Sequence, residues 1–168
     1  MQRSPDRTVR FTGLRRLAAA AAAAVGLGAA TADANAAPLT PLEHDILDAV
    51  NETRAEHGAP PVRVDAALER AARAHSTDMV RRHYFAHGAF ARRLWRFGAT
   101  GPTIGENLGW CTSRSRAAVF LIDHWLKSPR HRAVLLRRGF NRIGIGVAGG
   151  TVAGNEDAVV VTTDYEGK

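Results

Sequence analysis

The sequence predicts an α+β domain in which helices pack on an antiparallel sheet. Apolar residues recur at helical spacing in the first two-thirds of the chain, whereas period-two alternation is confined to the segment after Asn141. Helices first and strands last is the pattern of an α+β fold rather than of alternating βαβ units. The 45% apolar content and length of 168 residues fit one ordinary domain with its own core.

Thr40-Pro41-Leu42-Glu43 reads as a helix start. Thr40 can cap, Pro41 suits the first helical position, and Glu43 can close a capping box. Leu42, Ile46, Ala49, Val50 and Thr53 then form an apolar stripe, which Gly58 and Pro60-Pro61 end. Val62-Arg63-Val64 is a short extended piece. Asp65 caps a second helix, with Leu68, Ala72, His75 and Met79 on one face, running to about Arg82. A third short helix covers Phe90 to Phe97 with Leu94 inward, and Gly98 to Gly105 reads as loop. A fourth runs from about Ser115 to Lys127 with Ala118, Ile122 and Trp125 at helical spacing. Ser128-Pro129 restarts a short helix, serine as cap and proline at its first position. Ile143, Ile145 and Val147, then Val159, Val161 and Thr163, alternate as strands around a turn region, Gly149 to Asp157.

Residues 1–36 have the layout of a secretory signal peptide. Arg3, Arg7, Arg10, Arg15 and Arg16 precede an uncharged apolar run from Leu17 to Ala30, and Ala34-Asn35-Ala36 has the small-x-small pattern of a cleavage site. The run is shorter than the about 20 residues that span a bilayer. Cleavage near Ala36 leaves residues 37–168 as a single domain with no transmembrane segment, exported to the extracellular space or the cell wall. That domain, of about 130 residues, is large enough to fold without staples. It has to be, because Cys111 is the only cysteine and can form no internal disulfide; burial as a small apolar residue suits it. The net charge of +7 falls to +4 when the five arginines, Asp6 and Asp33 of the leader are removed. Nearly all remaining positive charge is arginine, which suits an anionic surface. No aromatic-basic interleaving points to a specific nucleic-acid partner.

Two histidines four apart, His83 and His87, would share one helix face. The helix is expected to end near Arg82, so they do not make a local pair. His75 reads as a hydrogen-bonded core residue; His44, His57 and His124 read as exposed. No Gly-x-Ser-x-Gly elbow and no His-Glu-x-x-His helix is present, and nothing couples Cys111 to a base. Glu106, between Gly105 and Asn107, reads locally as a loop residue.

Four stations taken in order carry more than each alone: "YFAH" with His87, "GENL" with Glu106 and Asn107, "WLKSPRHR" with His131, and "VVTTDYEG". With the preceding "DILDAVNETRAEHGAPPVRVDAALERAARAHSTDM", they resemble the CAP superfamily (cysteine-rich secretory, antigen 5 and pathogenesis-related 1 proteins, or SCP domains) in its disulfide-free bacterial branch. The resemblance covers about Leu39 to Gly167. It implies a three-layer α-β-α sandwich with a central antiparallel sheet and a cleft of two histidines and two glutamates. Carried over by motif, these are His87, His131 and Glu106; the second acid falls on Ser128, so the tetrad is incomplete. Two neutral imidazoles and one carboxylate can hold a divalent ion, zinc by ligand type, and leave a position open for water. The resemblance implies His87 and His131 as the metal residues, with the glutamate assisting, and the expected cleft lining is Glu106, Asn107 and Ser128. The expected function is a secreted, monomeric, non-enzymatic module binding a lipid, a cell-wall polymer or an anionic surface. The alternative is a metal-dependent hydrolase of peptide or wall substrates with Glu106 as base.

Overall fold

The computed structural model describes residues 37–168; the expected signal peptide lies outside them. Five helices and four strands follow one another as α1 (Pro41–Glu56), β1 (Arg63–Val64), α2 (Ala66–Arg81), α3 (Phe90–Phe97), β2 (Thr103–Cys111), α4 (Ala117–Lys127), α5 (Pro129–Leu135), β3 (Phe140–Val152) and β4 (Asn155–Gly167). The strand order is β1-β3-β4-β2. All long pairings are antiparallel; only the two-residue β1 lies parallel, against Arg142 and Ile143 of β3, so the sheet is mixed at that edge.

The helix starts form as their sequences dictate. Thr40 and Glu43 make a reciprocal capping box on α1. The Asp65 carboxylate accepts from the N–H groups of Ala67 and Leu68. Ser128 occupies the N-cap position of α5 with extended backbone angles, but its hydroxyl makes no cap bond. Proline at the first position and the Arg132 N–H to Ser128 C=O bond start this helix instead.

The alternation of β4 builds the three layers. Val159, Val161 and Tyr165 face a core formed with Ile46 and Val50 of α1, Leu121 and Trp125 of α4, Leu135 of α5, and Ile143 and Ile145 of β3. Ala158 and Val160 face the other way, toward Met79 of α2. On that side α2 lies directly on β3: a Cβ on Gly144 or Gly146 would sit 2.0 Å from Leu68 C or 2.2 Å from Ala72 C. Ser76 Oγ donates to Gly146 C=O and accepts from the Thr162 hydroxyl, each at 2.8 Å, tying α2 to both central strands. α3 packs on α2 through Leu94, Leu68 and Ala71.

Two expectations change. Residues 103–111 form a strand, so the segment before Gly105 is only partly loop and Glu106 is a strand residue. Gly105, Gly109, Glu106 and Asn107 have low strand propensity; pairing with β4, from Thr103↔Gly167 to Cys111↔Val159, overrides it. The region from Gly149 to Asp157 is mostly strand as well, with the turn confined to Ala153-Gly154. Both have positive φ, as a two-residue hairpin requires.

Candidate functional site

β2 is an edge strand, and successive side chains on it point to opposite sheet faces. Glu106 and Asn107 therefore reach to different layers, and each holds one histidine. Glu106 Oε1 is 2.7 Å from Nδ1 of His87, which follows α2 in a loop. Asn107 Nδ2 donates to the main-chain carbonyl of His131 on α5, at 3.0 Å. The Glu-Asn dipeptide thus anchors one histidine on each side of the sheet's free edge. Both histidines line one groove of about 800 Å³.

The groove's remaining wall is largely apolar. Leu108 to Cys111 of β2 form its floor, and Val119, Phe120 and Leu121 of α4 form one side, with Phe85 on the other. Phe85, Val119 and Phe120 are 38%, 70% and 51% exposed. These are three of the five exposed large apolar side chains of the described residues, gathered at one site. Glu106, Asn107 and Ser128 are not among the lining residues: the first two act from behind the histidines, and Ser128 lies outside the groove. Cys111 is buried in the floor, its thiol 3.5 Å from Ser113 C=O. His124, read as a surface residue, is exposed but lines the groove, its ring 6.4 Å from that of His131.

Behind His87 lies a charge cluster. Arg93 of α3 bonds Glu106 Oε2 and, at 3.1 Å, Asp164 Oδ1 of β4. Glu106 and Asp164 are direct cross-strand partners, so two carboxylates share one guanidinium. Burial holds the Glu106 carboxyl above its usual range, against the lowering effect of Arg93. Burial raises Asp164 well above its own, with the neighbouring Glu106 adding to the rise. His75, expected in the core, is 5% exposed and donates through Nε2 to Ala86 C=O at 3.0 Å. Burial first, and then Arg93, push its pKa down to about 4.

His87 is lowered by desolvation and by Arg93; His131 is lowered by desolvation and by the neighbouring His124 and His87. Both imidazoles are thus neutral near pH 7, the form that binds metal. With the Glu106 carboxylate accepting at Nδ1, His87 presents the Nε2 lone pair. Among the described residues, no group of three or more His, Cys, Asp or Glu side chains is gathered to hold a metal ion. Glu106 has its two oxygens taken by His87 and Arg93, so it orients a histidine rather than offering a free donor.

Sequence reasoning missed Arg93 and Asp164. Arg93 lies three residues after Phe90 and four before Phe97, on the side of α3 that packs inward. Period-two counting along β4 puts Asp164 on the face opposite Val161 and Thr163. Those two spacings were the available signals.

This is a layered α-β-α domain with an open groove along its edge strand and one anchored histidine on either side. The chain belongs to the cysteine-rich secretory protein (CAP) family, whose model matches residues 47–165. Protein YkwD of Bacillus subtilis is 29% identical over 109 residues, covering 62% of this chain and 41% of that protein. Membrane protein YlbC of the same organism is 33% identical over 113 residues, covering 64% of this chain and 32% of that protein. The chain thus spans less than half the length of these curated relatives. Among solved structures, an extracellular SCP-domain protein of Bacillus anthracis superposes with a TM-score of 0.63 at 28% identity, over 79% of this chain and 45% of that one. The cysteine-rich secretory protein SAV1118 of Staphylococcus aureus gives 0.60 at 20% identity, over 78% and 41%, a likeness of fold alone. Among the described residues, no helix is long and apolar enough to cross a membrane.

Proposed function

We propose that the chain is exported and acts outside the cell, or at the cell wall, as a monomeric, non-enzymatic binding module. Its groove takes an amphiphilic ligand, a lipid or an apolar-substituted wall fragment. The observation that carries this reading is the groove itself: about 800 Å³ of open volume, within the about 300–1,000 Å³ of small-molecule sites. Exposed Phe85, Val119 and Phe120 line its mouth, and His87, His124 and His131 supply polar contacts. The Glu106 carboxylate is already bonded at both oxygens, which speaks against a free general base.

The test is mass spectrometry of ligand retained by the exported protein, beside Phe120→Asp, a change at an exposed side chain that leaves the core intact. A lipid or glycan retained by the parent and lost from the variant supports the reading. No retained ligand, together with no binding to wall or lipid fractions, overturns it. In the same reading a divalent ion such as zinc is held by the His87 and His131 imidazoles, with water completing its shell. Zinc content should then fall in His87→Ala and His131→Ala; equal zinc in all three proteins removes the ion from the proposal.

A second reading, a metal-dependent hydrolase, rests on the His87–Glu106 pair, since a carboxylate-oriented imidazole is a general-base arrangement. It requires cleavage of peptide or wall substrate by the zinc-loaded protein and its loss in Glu106→Gln.

A further inference from the structure

A second hollow, of about 560 Å³, lies between α2 and α3 and shares no lining residue with the groove. Four of its lining residues are arginines, Arg73 and Arg81 of α2 and Arg93 and Arg96 of α3; among the described residues, Asp78 is the sole acid that lines it. Three of the four are ion-paired. Arg73 donates to both oxygens of buried Glu43, at 2.9 and 2.6 Å, and pairs with Glu69. Arg93 bridges Glu106 and Asp164. Arg81 lies 2.8 Å from Asp78, which Arg82 also approaches at 3.3 Å.

Local compensation is incomplete on both helices. One carboxylate, Asp78, serves both Arg81 and Arg82. Arg96 has no acid partner among the described residues, and neither does Arg92, one turn earlier on α3; between them in sequence stands Trp95, 61% exposed. Like charges four apart on a helix cost stability, and an exposed indole adds none. The arrangement has the form of an anion-recognition surface: two exposed guanidinium forks, Arg81 and Arg96, with spare N–H donors, beside Phe97 in the same hollow.

We infer that this hollow binds phosphate groups carried on a larger molecule. Arg96 and Arg81 donate to the phosphate oxygens, the ion-paired Arg73 and Arg93 bound the hollow behind them, and Phe97, which also lines it, packs against the organic part. Arginine forks match the tetrahedral oxyanion in two-point contact. The volume exceeds what one inorganic phosphate fills, so the ligand brings several phosphates or a phosphate with its carrier. The same phosphodiester chemistry occurs in a free polymer and in a phospholipid headgroup. The inference does not depend on the groove reading.

The experiment measures binding of the full chain to linear polyphosphate and, separately, to phosphatidylglycerol vesicles at about 0.15 M salt. Arg96→Ala is compared with Arg130→Ala, an exposed arginine on α5 whose loss changes net charge equally. Arg96→Ala should weaken binding about tenfold, Arg96→Lys less, and Arg130→Ala less than about twofold. Binding of polyphosphate alone assigns a free polymer, and binding of vesicles alone assigns a headgroup; binding of both assigns the phosphate itself. Phe120→Asp should leave these affinities unchanged. Equal losses in Arg96→Ala and Arg130→Ala, or no binding of either probe, overturn the inference.

Discussion

Acidification should weaken the fold through His75, by an amount that follows from its burial. The ring is 5% exposed, bonded to Ala86 C=O and close to the Arg93 cation, and its pKa in the fold is about 4. An unfolded histidine titrates near 6.5. The fold therefore favours neutral His75, and that contribution is fully present above about pH 6.5. As pH falls, the unfolded chain takes up the proton first, and stability is lost between about 6.5 and 4. Each pKa unit is worth about 1.4 kcal/mol, so the loss reaches about 2 kcal/mol at pH 5 and about 3 kcal/mol at pH 4. Glu106 and Asp164, both raised, act with the opposite sign and gain stability as pH falls toward the ordinary carboxylate range. The quantity to read is therefore the difference between the parent and His75→Gln, whose amide can still donate to Ala86. Urea unfolding followed by tryptophan fluorescence at pH 7, 6, 5 and 4 gives that difference. The parent should lose about 3 kcal/mol more than the variant across the series. Parallel curves, within about 1 kcal/mol, would refute the argument, as would an imidazole NMR titration of His75 near 6.5.

Three further predictions concern the scaffold. Arg54 is fully buried, has no carboxylate partner among the described residues, and donates to the carbonyls of Pro60, Leu135, Arg137 and Phe140; Arg54→Met should cost about 4 kcal/mol in chemical denaturation, because several carbonyls lose their donors together. Gly146→Ala should cost about 2 kcal/mol or more by pushing α2 off β3, while Gly149→Ala, whose Cβ would meet only ordinary contact, should change stability by less than about 0.5 kcal/mol; equal effects would contradict the close approach. Arg93→Ala should cost about 3 kcal/mol at pH 7 and clearly less at pH 5, since Glu106 and Asp164 lose their shared cation and can relieve the strain only by protonation; a loss independent of pH would show that charge is not the cause.

Much of the scaffold was legible because its signals are local. Thr40 with Glu43, and Asp65, cap helices by bonds within three residues, so their effect can be read from spacing. The inward stripe of α2 and the alternation of β3 and β4 were likewise periodic. β2 was not legible, because its glycines and polar residues are poor strand formers and its order comes from pairing with β4, far along the chain. The motifs located His87, Glu106 and His131, but not what each does.

The sequence by itself determined the helix boundaries, the α+β class, the absence of disulfide support and the residues that mark the CAP family. Only the tertiary structure decided that Glu106 and Asn107 face opposite layers and that Arg93 bridges Glu106 to Asp164. It also decided that His124 joins His87 and His131 in one groove while Ser128 does not. The reason is geometric. Those relations depend on strand register and on how α3 and α4 seat on the sheet, and both are set by packing between residues far apart in the chain.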